Sequence, residues 1–259
     1  MRYSILTIAF LSTSVLAVDN TATGPNKVYI EQIGNTNTIT IEQVGGTNNV
    51  GGINGSTSVS NTDHSTTHTP DAPSSLNYAT ILGSSNIVTL TQHGNNDSAQ
   101  YYIKGSQNTY TNTVTGNGNK TKLKAGDTST NNLRNTITEA ITGNDNVSIQ
   151  TLLGNDITST TTVTGNTNQI TQDLKSTNGT STNTITGNNN IVFTEQSDSA
   201  GANGHVLNNV IAGDYNSIMT QQQGSNDTTV DINTQGDHNT ITVRTSSSAI
   251  TSPVTAIAR

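Results

Sequence analysis

Glycines at positions 34 and 45, at 83, 94, 105 and 116, and at 143, 154, 165 and 187 stand eleven residues apart or at a multiple of eleven. Asn follows three places later in ten cases: Gly34, Gly45, Gly83, Gly105, Gly116, Gly143, Gly165, Gly187, Gly213 and Gly236. Chance placement would give about three such pairs, so the repeat is not an artefact of composition. A period this short leaves room for one strand and one turn per unit. Such units bury their apolar faces only by stacking on copies of themselves. The fold class that follows is all-β, a β-solenoid of stacked 11-residue strand-turn units with flexible insertions. Whether a rung holds two strands or three is left open by the repeat alone.

Composition explains why the stack has to be an unusual one. Only 29% of the 259 residues are hydrophobic and 3% aromatic, which by itself reads as disorder. Disorder of that kind usually comes with high charge, yet charged residues are only 10%. The missing hydrophobics are replaced by Thr, Asn, Ser, Gln and Gly, whose amides and hydroxyls satisfy one another in β stacks. A net charge of −7, with ten basic residues that form no patch, argues against nucleic acid as a partner. Cysteine is absent, so no disulfide or thiolate metal site is available.

The unit Asn37–Gly45 shows the expected strand chemistry. In a strand, alternate residues face opposite ways. Ile39 and Ile41 should therefore point inward, bracketed by Asn37 and Gln43, with Thr38, Thr40 and Glu42 outward. Gly45 supplies backbone angles closed to other residues, and Asn48 closes the turn with its tolerance of the left-handed region. Stacked units place Asn over Asn and Gln over Gln, and each amide donates to the next. Without that partner a buried amide costs about 1–3 kcal/mol. In the central block the inward position two before the glycine turns apolar (Ile103, Val114, Ile141, Leu152, Val163, Leu174, Ile185). There the polar residue moves two places earlier, to Gln150, Gln172 and Asn183.

Residues 1–17 read as a bacterial-type secretory signal: Arg2, an apolar run from Ile5 to Leu11, and small residues at Val15-Leu-Ala17. The expected location is secreted, extracellular or at the cell surface. The apolar run is too short to cross a membrane, and no membrane insertion is expected after cleavage. Residues 18–27 form a polar leader, 28–245 the solenoid repeat domain with a flexible insertion at about 51–77, and 246–259 a polar tail. Smaller breaks fall at 126–132 and 197–207.

Gln32-Ile-Gly-Asn-Thr-Asn37 carries a Gln-x-Gly-x-x-Asn core, and Thr91-Gln-His-Gly-Asn-Asn-Asp97 repeats it with Asp97 at the Asn position. On these residues the chain resembles the curlin family, the subunits of bacterial curli amyloid fibres. The match is strongest over Val28–Asn48; the spacing extends over most of 28–240, while most central units lack the Gln. The resemblance implies two strands per rung, end-to-end self-assembly outside the cell, a nucleator subunit and an outer-membrane export pore as partners. It also implies a role in adhesion or a biofilm matrix. The candidate ladder and turn residues are Gln32, Gly34, Asn37, Gln43, Gly45, Asn48, Asn86, Gln92, Gly94, Asn108, Asn146, Asn168, Asn190, Asn216, Gln222 and Asn239.

Other functions have weaker signals. His64 and His68 have a metal-like spacing but sit in the Ser/Thr-rich interruption, and His93 and His238 lie beside turn glycines, where solvent exposure is expected. No repeated carboxylate pair of the glycosidase kind occurs, so the expectation is no enzyme, no cofactor and no metal. Gly213-Asp-Tyr-Asn216 and Gly236-Asp-His-Asn239 resemble acidic calcium repeats, although Asp is also an ordinary turn former. Outward Thr at 38 and 40, at 160, 162 and 164, and at 240 and 242 could form a flat ordered face of the ice-binding kind. Against this, Thr suits any exposed strand, and it is not aligned in every unit. The alternative to a fibre is thus a non-polymerising solenoid binding module: a surface adhesin, fibre or ice-binding protein.

Overall fold

The computed structural model describes residues 6–9, 15–20, 27–33, 38–43, 45–46, 48–52, 79–82, 85–103, 106–125, 134–197, 204–246 and 254–258. Gly34, Asn37, His64, His68 and most of the 51–77 insertion lie outside them. The chain is a parallel β-solenoid with two strands per rung, the first in one sheet and the second in the other.

The first sheet stacks β1 (Leu6–Ala9), β3 (Lys27–Ile33), β5 (Asn49–Gly52), β8 (Ser98–Ile103), β10 (Lys120–Ala125) and β12 (Val147–Leu152). It continues through β14 (Gln169–Leu174), β16 (Ile191–Ser197), β18 (Ser217–Gln223) and β20 (Thr240–Thr245). The second sheet stacks β2 (Val15–Asn20), β4 (Thr38–Gln43), β7 (Ile87–His93), β9 (Thr109–Thr115) and β11 (Thr136–Thr142). Above these lie β13 (Thr158–Thr164), β15 (Thr180–Thr186), β17 (Val206–Ala212), β19 (Thr229–Gln235) and β21 (Val254–Ala258).

β6 (Ala79–Leu82) completes the strand that β5 begins. β5 pairs with Lys27 and Val28 of β3, and β6 pairs with Ile30 to Ile33 of the same strand. The long insertion therefore leaves from the middle of one strand and returns to it, without displacing the rungs on either side. Strands β1 and β2 fall within residues 1–20, and β21 within the segment after 246.

Two strands per rung changes which units touch. A unit stacks on the unit 22 residues away, not on its neighbour in sequence; Thr158 pairs with Thr180, for example. The sliding inward pattern follows from this. In the second sheet the column Val114, Ile141, Val163, Ile185 and Ile211 is continuous and apolar. In the first sheet the corresponding column is apolar through Leu152 and Leu174, then changes to Gln196 and Gln222. Like residues meet within a sheet, and each sheet changes type at its own height.

The inward positions one pair earlier form a polar vein through the middle of the stack. Glu139 lies at its centre, fully buried, accepting from Asn112 Nδ2 at 2.6 Å, from Gln150 Nε2 at 2.8 Å and from the Ser148 hydroxyl. Burial pushes its carboxyl up from the usual range, against the lowering effect of those three donors. Higher up, Gln172 Nε2 donates to Thr161 and Asn209 Nδ2 to Asn183 Oδ1. Apolar residues flank this vein on both sides, and Ile170, Ile185, Val192 and Leu207 are each at most 1% exposed.

The turn glycines are held by the rung above. Gly143, Gly165, Gly187 and Gly213 all have φ near +135°, a region closed to side chains. A Cβ on Gly165 would also overlap the carbonyl of Gly187. Gly165→Ala is expected to destabilise the chain by about 3 kcal/mol or more, since strain and overlap act at a site with no room to relax. Thermal unfolding followed by circular dichroism checks this, and an unchanged melting temperature would contradict the turn geometry.

Candidate binding face and turn ladders

Each turn from the second sheet back to the first carries two ladders of side-chain amides. The inner one runs Asn48, Asp97, Asn119, Asn146, Asn168, Asn190, Asn216 and Asn239. At each step the upper residue donates its backbone N–H to the Oδ1 below: Asn168 to Asn146 at 2.9 Å, Asn190 to Asn168 at 3.0 Å, Asn216 to Asn190 at 2.9 Å. The Nδ2 of Asn168 and of Asn190 makes the same downward bond at 3.0 Å. Nδ2 also reaches upward to the next turn's glycine carbonyl, as from Asn48 to Gly94 at 2.9 Å and from Asn146 to Gly165 at 2.8 Å. One carboxamide thus ties three consecutive turns.

The outer ladder was not singled out from the sequence. It occupies the residue after the glycine: Asn95, Asn117, Asn144, Asn166, Asn188, Asp214 and Asp237. Its donors point the other way, each lower residue giving its N–H to the one above, as Asn166 to Asn188 at 2.9 Å. A ladder in this direction can end on groups that only accept. Asp214 accepts from Asn188 N at 2.6 Å and Asp237 from Asp214 N at 2.7 Å. The signal was present in the sequence as Gly-Asn in five of these turns. It was masked because Asn is frequent everywhere.

The opposite corner is less regular. Asn108 donates to Asn86 Oδ1, and Asn135 donates to Asn108 Oδ1, both at 3.0 Å. The series then passes to Ile157, whose N–H is bonded to Asn135 Oδ1 at 2.9 Å. Asn86 and Asn108 therefore belong to a separate, shorter ladder from Asn146–Asn239. Both smaller sequence breaks enter at this corner, between β10 and β11 and between β16 and β17. The regular corner takes no insertion.

Of the other candidate residues, Gln32 lies in β3 and Gln43 ends β4, while Gly45 and Gly94 sit in the regular turns. Gln92 is buried within β7. Gln222 accepts from Gln196 Nε2 at 2.9 Å and donates across to the Val206 and Thr228 carbonyls at 2.9 and 3.0 Å. The left-handed residue of the turn is not the Asn expected to tolerate it. It is the third turn residue, as in Asn96, Asp145, Thr167 and Tyr215 with φ between 54° and 59°. The fourth residue stays out of that region because its side chain has to enter the stack as the ladder rung.

Outward faces of the two sheets differ sharply. Over β10 to β16 the first sheet's outward residues are themselves largely buried and mixed in type, with Lys122 at 7%, Ile149 at 3% and Phe193 at 6% exposure. The second sheet is open. Every outward position of β9, β11, β13 and β15 is Thr except Ala140, in straight register across the four strands. The column Thr40, Thr89, Thr111, Thr138, Thr160 and Thr182 is unbroken over six rungs. Among the described residues none of the outward Thr hydroxyls of β9, β11, β13 and β15 bonds to the protein; the inward Thr161 of β13 accepts from Gln172 Nε2 at 2.6 Å. Exposed Ile87 and Val210 lie at the two sides of this field. Glu42, beside His93 at 3.1 Å, and Asp231 are outside it.

Searches found no matching protein family, no matching curated protein and no matching solved structure for this chain.

Asp97 is the one carboxylate of the inner ladder. Its Oδ1 accepts from Asn119 N and Nδ2 at 2.8 and 3.1 Å, but its Oδ2 is buried without a donor. Oδ2 takes the branch that in Asn donates to the next glycine carbonyl, so two acceptors crowd the same spot beside Gly94. Burial raises its pKa from 3.8 to about 6, with the Asn119 bonds opposing. A carboxyl that holds its proton more tightly when folded stabilises the fold fully below 3.8, and that contribution is lost as pH rises through about 6. Asp97→Asn is therefore expected to stabilise the protein at pH 7 by about 1–2 kcal/mol. The gain should shrink toward nothing near pH 4. Melting temperatures of both proteins across this range test it; a gap independent of pH would contradict it.

Proposed function

We propose that this chain is a non-polymerising solenoid binding module, and that its contact surface is the threonine field on the second sheet. The observation that carries this reading is the difference between the two outward faces. Thr fills the open face in register, while the other face is largely buried and mixes Lys122, Ile149 and Phe193 with Thr151, Thr171 and Asp173 at the same strand positions. The end of the inner ladder supports a free-standing unit. Asn239 Nδ2 donates down to Asn216 Oδ1 at 3.0 Å like the amides below it. It also turns back to the Gln235 and Gly236 carbonyls of its own turn, at 3.3 and 3.2 Å, where Asn146 and Asn168 reach up to the next turn's glycine. Export through the segment 1–17, and hence an extracellular or surface location, belongs to the same proposal.

The resemblance to curlin repeats supports a second reading, a self-assembling fibre subunit. The observation in its favour is the parallel, in-register stacking of amide-bearing rungs, which a further copy could extend. Sedimentation velocity and thioflavin fluorescence of the full chain separate the two, with and without sonicated aggregate of the same chain as seed. The binding-module reading expects a single monomeric species and no seeded growth. A lag phase that seed abolishes would overturn it in favour of the fibre.

A further inference from the structure

The threonine field is periodic in two directions, and this restricts what it can recognise. Neighbouring strands repeat at about 4.8 Å, and alternate residues along a strand at about 6.6 Å. The registers Thr136–Thr158–Thr180 and Thr142–Thr164–Thr186 hold this grid without a slip across β11, β13 and β15. Each node carries one hydroxyl and one methyl on a β-branched side chain whose χ1 is stiff. Little side-chain entropy is therefore lost when such a node is fixed. The grid is uncharged, and its flanks are apolar at Ile87 and Val210, each 45% exposed.

Several classes of partner do not fit this surface. Phosphates and anionic headgroups need clustered cations, and the field has none. A protein interface of ordinary stability buries about 800 Å² per partner around aromatic or Arg anchors. Four strands of seven residues cover roughly 400 Å², and the field contains no aromatic side chain and no Arg. The same lack of aromatic platforms disfavours sugar rings, whose apolar faces stack on them. A second copy of the chain fails on area for the same reason.

A partner that does fit is itself uncharged, flat and periodic at these spacings, with hydrogen-bonding groups that meet hydroxyls and gaps that accept methyls. We infer that the Thr face of β9, β11, β13 and β15 binds the surface of crystalline water. This rests on the binding-module reading and names the ligand of its face. Ice presents oxygen rows at spacings close to this grid on its prism faces. The Thr hydroxyls would take lattice positions in the first water layer, and the methyls would order the water between them. No covalent step or cofactor is involved. Alternate-unit stacking is what makes the field visible: Thr fails to align between successive units, yet aligns between every second one.

The test uses the full chain and two substitutions of the same kind at different places. Thr160→Tyr puts a ring in the middle of the grid, and Thr242→Tyr puts one on an exposed position of β20 in the other sheet. Circular dichroism establishes that both fold. The wild-type chain is expected to partition into a slowly grown ice hemisphere, to shape ice crystals with facets, and to hold melting and freezing points apart. Thr160→Tyr should lose most of that activity, and Thr242→Tyr should keep it. Exclusion of the wild-type chain from ice, or full activity in Thr160→Tyr, would overturn the inference. Retention on crystalline cellulose or chitin is measured beside it. Thr160-dependent retention there without ice activity overturns the ice assignment and keeps the binding face; retention on none of the three solids removes both.

Discussion

The inner carboxamide of each regular turn is the interaction on which the rest of this protein depends. A chain with so little hydrophobic content cannot hold a stack together by apolar burial alone. Here a single Asn side chain accepts from the rung above and donates both to the rung below and to the next glycine carbonyl. Each such bond has a net worth of about 1 kcal/mol, whereas a buried amide left alone costs more than that. The ladder is therefore nearly all-or-none, and that is why the fourth residue of this turn is Asn or Asp at every described rung from Asn48 to Asn239. The glycine three residues earlier follows from the same demand, since its carbonyl is the ladder's upper acceptor and its Cα lies against the carbonyl of the next turn.

Fixing one corner frees the rest of the rung. The long insertion leaves from within a first-sheet strand, and the two shorter ones leave from the opposite corner, where the Asn series stops at Asn135. The interior is free as well. With the turns in register, inward positions can change from Val and Ile to Gln, or host Glu139, provided each sheet places polar groups where donors and acceptors meet. Rigidity at the corner also brings the outward Thr columns into line. A grid of hydroxyls is only as regular as the rungs beneath it, so the recognition surface inherits its order from the turn.

Much of this was legible from the glycine period and the Asn that follows it. The solenoid class, the inward set of Ile39 and Ile41, and the outward Thr40 and Glu42 all follow from a period of eleven and strand alternation. Two strands per rung was what the resemblance to curlin repeats implied, and the two sheets bear it out. What was not legible came from comparing each unit with its neighbour in sequence. With units compared to their neighbours in sequence, the move from Gln92 to Val114 looks like a drifting pattern and Thr looks unaligned. With units compared two apart, Gln43 meets Gln92, Val114 meets Ile141, and Thr138 meets Thr160. The left-handed turn residue was misplaced by one position for a related reason. Asn tolerates that conformation well, but here its side chain is required inside the stack, so Asp145 or Thr167 takes the backbone strain instead. The outer ladder escaped notice because Asn is too common in this chain for Gly-Asn to stand out.

The most direct measurement of the central claim is hydrogen exchange at the side-chain amides, followed by nuclear magnetic resonance. If the inner ladder carries the stack, the Nδ2 protons of Asn146, Asn168 and Asn190 exchange as slowly as the backbone amides of β13 and β15. Asn233, whose side chain is exposed on β19, should exchange far faster. Exchange of the three ladder amides at the rate of a free carboxamide, while the strands stay protected, would contradict the account.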